Sequence, residues 1–195
     1  MEIALFIIGF IIVFFVVINV FRKLHMDAIH YNLLDLADEI GGEVLKRGML
    51  SRPVYHGDLN GMDLTVNFST ERVQKKRRQF INISIARVLQ NNLTIATRQW
   101  LENTAGSAPE EFDILEIDSD TEYLIRKSSK KSYLRKNGQD EFSECLKKLS
   151  PFNYIYGGPT GILFEQECEN LATCTKHPQL KENIDHLYRL AKVLV

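Results

Sequence analysis

The sequence predicts an α+β fold, a mostly antiparallel sheet with helices packed on one face, behind a single N-terminal transmembrane helix. Three observations predict it. An uncharged apolar run opens the chain, an Asn-Gly turn joins two alternating segments, and adjacent strand-like segments are interrupted by only a few helical ones.

From Ile3 to Val20 the chain reads IALFIIGFIIVFFVVINV, with no charge and with Asn19 as its one strongly hydrogen-bonding side chain. Ile3, Phe6, Ile11, Phe15 and Val20 mark its length. At ~1.5 Å per residue the run, with Phe21, matches the ~30 Å hydrocarbon layer of a bilayer, and it is apolar on every face, as buried helices of soluble proteins seldom are. A cleaved signal peptide would carry a basic start, a shorter apolar core and a small-residue cleavage site. Here Glu2 precedes the run, and Phe21, Arg22, Lys23 and Leu24 follow it. Arg22 and Lys23, with His25 behind them, mark the cytoplasmic side.

The expected layout is therefore an anchor over residues 1–23, with the N-terminus outside, and a cytoplasmic domain over 24–195 at the inner membrane. Cys145, Cys168 and Cys174 are few and irregularly spaced, unlike a disulfide framework. The sequons at Asn67, Asn82 and Asn92 fall in predicted strands and have no role in a cytosolic domain. Ala4 and Gly9 do not form a small-xxx-small pair, so self-dimerisation through the span is not expected.

Met26, Ile29, Leu33, Leu36, Ala37 and Ile40 recur at helical steps and predict a helix that continues from the span as a stalk over residues 24–41, closed by Gly41-Gly42. Asn60-Gly61 predicts a two-residue type I′ hairpin that pairs Leu59 with Met62, Gly57 with Leu64 and Tyr55 with Val66. One face then collects Tyr55, Leu59, Met62, Leu64, Val66 and Phe68. A charged connection, Glu71 to Arg78, leads to a third strand carrying Ile81, Ile83 and Ile85, and NNLTIATRQW predicts a fourth.

ENTAGSAPEE reads as a loop, FDILEID as a strand, and Ser119-Asp120 with Glu122 as a cap opening a short helix. Arg126 to Lys136 is basic and irregular. Phe142, Cys145, Leu146 and Leu149 predict a helix stopped by Pro151, FNYIY and GILFEQE a second hairpin, and Leu180, Ile184, Leu187, Ala191 and Leu194 a final helix opening at Pro178.

This element order, with the Gly41-Gly42 and Asn60-Gly61 turns, resembles uncharacterised bacterial proteins in which one membrane helix precedes a small α+β domain. The resemblance implies the architecture and assigns no functional residue.

About 170 residues beyond the anchor suit one domain with a proper core. A formal net charge of −1 argues against a dedicated nucleic-acid binder. Two basic segments stand out. Arg72, Lys75, Lys76, Arg77 and Arg78 beside a bilayer would be drawn to anionic headgroups by ~1 kcal/mol per charge. Arg126, Lys127, Lys130 and Lys131 begin a second stretch that would join the first if the fold brought them together. Cys168, Cys174 and His177 are of zinc-ligand type, but their spacing departs from the common knuckles and no metal is expected.

Gly157 to Gly161 lacks the Gly-Lys-Ser/Thr of a phosphate loop, and neither a nucleophile elbow nor a His-Glu-x-x-His pair occurs. No cofactor is implied. The expectation is a non-enzymatic accessory or assembly protein that binds a protein partner at the cytoplasmic membrane face. The alternatives are an adaptor reading anionic lipid through the basic segments, and an enzyme whose site is built from dispersed residues.

Overall fold

The apolar run and the amphipathic stripe behind it form one helix. In the computed structural model, which describes residues 2–48, 50–73, 75–103, 111–117, 121–126 and 138–194, α1 (Glu2–Ile40) is an unbroken helix of 39 residues. Its first half is long and apolar enough to cross a membrane. Ile3, Phe6, Ile11, Phe15 and Val20 are all at least half exposed, and Asn19 Nδ2 satisfies itself inside the helix on Phe15 O at 2.8 Å. The second half is a core element. Ile29, Leu33 and Leu36, one turn apart, are fully buried, with Met26, Ala37 and Ile40 packed beside them.

Gly41 ends the helix with φ 79°, its N–H donating to Ala37 O at 2.9 Å. The helix is thus continuous from the apolar run to Ile40, its second half packed into the core, and Val44 lies beyond it in β1 (Glu43–Leu45). β2 (Val54–Asp58) and β3 (Asp63–Val73) follow. Asn60 and Gly61 have φ of 55° and 83°, and the register pairs Tyr55 with Val66 and Gly57 with Leu64, as the hairpin rule predicts.

The charged connection expected from Glu71 to Arg78 is not a loop. β3 runs on to Val73, and β4 (Lys76–Ile85) begins at once, so the basic residues form the end of a long two-stranded ribbon. The Phe68↔Ile81 and Thr70↔Gln79 pairings carry the ladder outward until Arg72 opposes Arg77.

β5 (Leu93–Thr97) matches the fourth strand, but RQW belongs to α2 (Arg98–Asn103), where the Thr97 hydroxyl accepts from Trp100 N–H at 3.2 Å. β6 (Phe112–Leu115) is present. The residues after Glu122 make a strand, β7 (Tyr123–Arg126), where a capped helix was expected. Tyr123, Leu124 and Ile125 are buried in the sheet, and that tertiary burial overrides the local capping signal. Residues 118–120, most of ENTAGSAPEE and the basic stretch after Arg126 lie outside the described residues.

α3 (Gln139–Leu149) ends before Pro151, as expected. β8 (Tyr154–Gly158) and β9 (Gly161–Cys168) form the second hairpin, with Gly158 still in its strand. A short α4 (Leu171–Cys174) and α5 (His177–Val193), with Pro178 in its first turn, complete the chain.

Among the described residues the strands make one antiparallel sheet in the order β1-β2-β3-β4-β9-β8-β5-β7-β6. The β8–β9 hairpin is inserted between β4 and β5. The second half of α1 packs with β1, β2, α4 and α5. The helix-side face of the sheet carries Leu64, Val66, Ile83, Ile155, Phe164 and Ile95, which form one core with Leu33, Leu146 and Leu187.

Candidate functional site

Strand alternation decides what the end of the β3–β4 ribbon presents to α1. Leu64 and Val66 face the helices, so Thr70 and Arg72 share their face by period two, as do Arg77 and Gln79 across the ladder. The ribbon end extends past the covered sheet to the level where α1 emerges from its apolar run. There a cleft of about 670 Å³ lies between the two, and Arg22, His25, Arg52, Thr70, Arg77 and Gln79 supply its polar wall. Phe21, Met26 and Leu50 supply the apolar wall.

The polar wall is cationic. Arg52, half-buried just ahead of β2, donates from Nη2 to Thr70 Oγ1. Among the described residues no carboxylate pairs with Arg22, Arg52 or Arg77, and none lines the cleft. Burial, with the neighbouring Arg77 charge adding to it, holds the Arg52 guanidinium below its ordinary value. Arg72 and Arg77 stand directly opposite each other, a cross-strand arrangement of like charges that opposes folding.

The other predicted basic residues go elsewhere. Lys75 sits in the turn with φ 67°, and Lys75 and Lys76 are exposed at the ribbon tip. Arg78 points to the opposite face, where Nη1 meets Glu167 Oε2 at 2.7 Å.

Arg126 pairs with Glu111 at 2.7 Å on β7. The strand order places β7 four strands from β4, roughly 19 Å across the sheet. As far as the second segment is described, then, it does not join the first; Lys127, Lys130 and Lys131 lie outside the described residues. The reading from the sequence missed Arg52, Thr70 and Gln79. Carrying the Asn-Gly register six residues further would have put Thr70 and Arg72 on the α1 face.

The cysteines also need correction. Cys168 at the end of β9 and Cys174 in α4 form a disulfide, with Cα atoms 6.2 Å apart, and are not free thiols. His177 Nε2 lies against Glu39 Oε2 of α1. Cys145, the other sulfur that a zinc shell would need, is buried in α3, where burial pushes its thiol up to about 11. Among the described residues no three His, Cys, Asp or Glu side chains gather as a metal-holding group.

A second polar cluster occupies the face of the sheet away from α1. Trp100 stacks on Tyr154 with centroids 4.3 Å apart, and its Nε1 donates to Glu165 Oε1 at 3.0 Å. Burial raises the Glu165 carboxyl, against the lowering effect of the Trp100 bond. Burial likewise pushes the Tyr154 hydroxyl up to about 12. The aromatic faces are spent on each other, so this cluster reads as packing around a half-buried acid.

No family model matches the chain, and no curated protein matches it. Among solved structures, the chain is similar to the crystal structure of the mycobacterial trehalose monomycolate transport factor A, TtfA. The TM-score is 0.49 and the identity 11%, over 84% of this chain and 93% of that one. At that distance the likeness carries no functional argument.

Proposed function

We propose that the protein is a membrane-anchored accessory or assembly factor: residues 1–23 anchor it, and residues 24–195 form a domain that meets a protein partner at the cytoplasmic face of the membrane. The observation that carries this reading is the single helix α1, apolar and exposed in its first half and fully buried at Ile29, Leu33 and Leu36 in its second. A span that doubles as a core helix leaves no flexible linker. The domain is then held at the bilayer in one orientation, which suits docking on a neighbouring membrane protein and is not needed for tethering alone.

Orientation rests on Arg22 and Lys23 after the span, by the positive-inside rule. The Cys168–Cys174 disulfide weighs the other way, because disulfides persist in oxidising compartments. The flanking charge is given precedence because it acts during insertion, before the domain has folded.

Purification of the full-length chain in mild detergent tests the reading. A membrane protein retained at fixed stoichiometry through high salt is the expected result. A monodisperse chain without a partner would count against it.

A further inference from the structure

We infer that the cleft between α1 and the β3–β4 ribbon binds the phosphate of one anionic lipid headgroup, with the acyl chains leaving along Phe21 and the span. The inference rests on the membrane placement of α1 proposed above and deepens it by naming a ligand and its residues. Three features carry it. The cleft gathers Arg22, Arg52 and Arg77 with His25, and among the described residues no carboxylate lines it. Guanidinium forks match phosphate oxygens in a bidentate manner.

The cleft is also built to hold charge. Arg52 is half-buried and held by Thr70, and the β3–β4 register sets Arg77 on the same face as Thr70, so the fold brings these two cations to one wall. Lastly, its position selects lipid over a free anion. Phe21 is the last apolar residue of the span before Arg22, and with Met26 and Leu50 it forms an apolar wall beside the cationic one. A soluble phosphate has no use for that wall. A phospholipid has both parts.

The test uses the purified full-length chain in detergent, with no partner present, titrated with dioleoylphosphatidylglycerol and followed by native mass spectrometry. One tightly held lipid per chain is expected, with the zwitterionic dioleoylphosphatidylcholine bound at least tenfold more weakly. Arg77→Gln, at an exposed strand position where folding is retained, should lower occupancy about tenfold. Arg52→Gln combined with Arg77→Gln should abolish it.

Lys75→Gln with Lys76→Gln removes the same charge from the ribbon tip and should leave binding unchanged. Equal losses from the two double variants would reduce the effect to diffuse surface charge and overturn the site. Displacement of the lipid by inorganic phosphate at equal concentration would overturn the lipid assignment in favour of a free-anion site. Absence of a bound lipid from a chain that still fractionates with membranes would sink the cleft alone, leaving the accessory reading to its own co-purification test.

Discussion

A chain that begins at Arg22 is expected to fold in water, and one that begins at Gly41 is not. The first cut removes side chains that are exposed to the surroundings of the helix. The second also removes Ile29, Leu33 and Leu36, each 0% exposed. Full burial of an aliphatic side chain is worth about 1.5–3 kcal/mol, so the three together contribute roughly 5–9 kcal/mol. Domains of this size are stable by only about 5–15 kcal/mol, which makes the loss comparable to the whole.

Polar contacts add to it. Asn32 Nδ2 donates to Ala172 O at 2.8 Å and to Thr175 Oγ1 at 2.9 Å, Lys46 meets Asp27 at 2.6 Å, and Lys181 pairs with Glu39. Thermal unfolding followed by circular dichroism should give a cooperative transition for residues 22–195, and aggregation or no transition for residues 41–195.

Gly161→Ala is expected to produce the largest loss from a single methyl group. Gly161 opens β9 opposite Gly158 and has φ 136°, a region that L side chains rarely adopt. A Cβ there would lie 2.3 Å from Ile85 O and 3.1 Å from Ala86 Cα. Both neighbours are backbone at the end of β4, so no rotamer change relieves the contact. The forbidden dihedral costs about 1–3 kcal/mol and the displaced backbone a similar amount, giving roughly 2–6 kcal/mol. For a chain of this length that lowers the melting midpoint by roughly 5–20 °C. Gly61→Ala is the internal comparison. Its φ is also positive, but a Cβ there meets nothing within 4 Å, so its loss should be clearly smaller.

Local signals made most elements legible. The apolar run, the stripe from Met26 to Ile40, the Asn60-Gly61 register and the periodicity of the last helix are each set by contacts within a few residues or by one tight turn. Strand order is a different kind of information. β9 pairs with β4 through Ile83↔Phe164 and Ile85↔Ile162, residues about 80 apart in sequence, and no local pattern encodes which apolar strand fills that place.

The ribbon end departs from the charged connection that its composition predicts. A two-stranded ribbon that leaves the covered sheet no longer needs alternation, yet its ladder continues through Glu71↔Arg78 and Arg72↔Arg77. The candidate site was therefore half visible. Arg77 was singled out from its sequence cluster, whereas Arg52, ahead of β2, reaches the cleft only through its bond to Thr70 once β2 lies beside β3. Glu167 likewise gave no sign that it neutralises Arg78 until β9 was placed beside β4.

On the proposed reading, one uninterrupted helix serves as both membrane span and core element. Amide hydrogen exchange on the full-length chain in lipid nanodiscs, resolved across residues 18–40, tests it most directly. Slow exchange that continues without a gap from the span through Arg22 to Met26 and on to Leu36 is the predicted result. A fast-exchanging segment at residues 22–26 between two protected stretches would reveal a hinge and contradict a domain rigidly held at the bilayer.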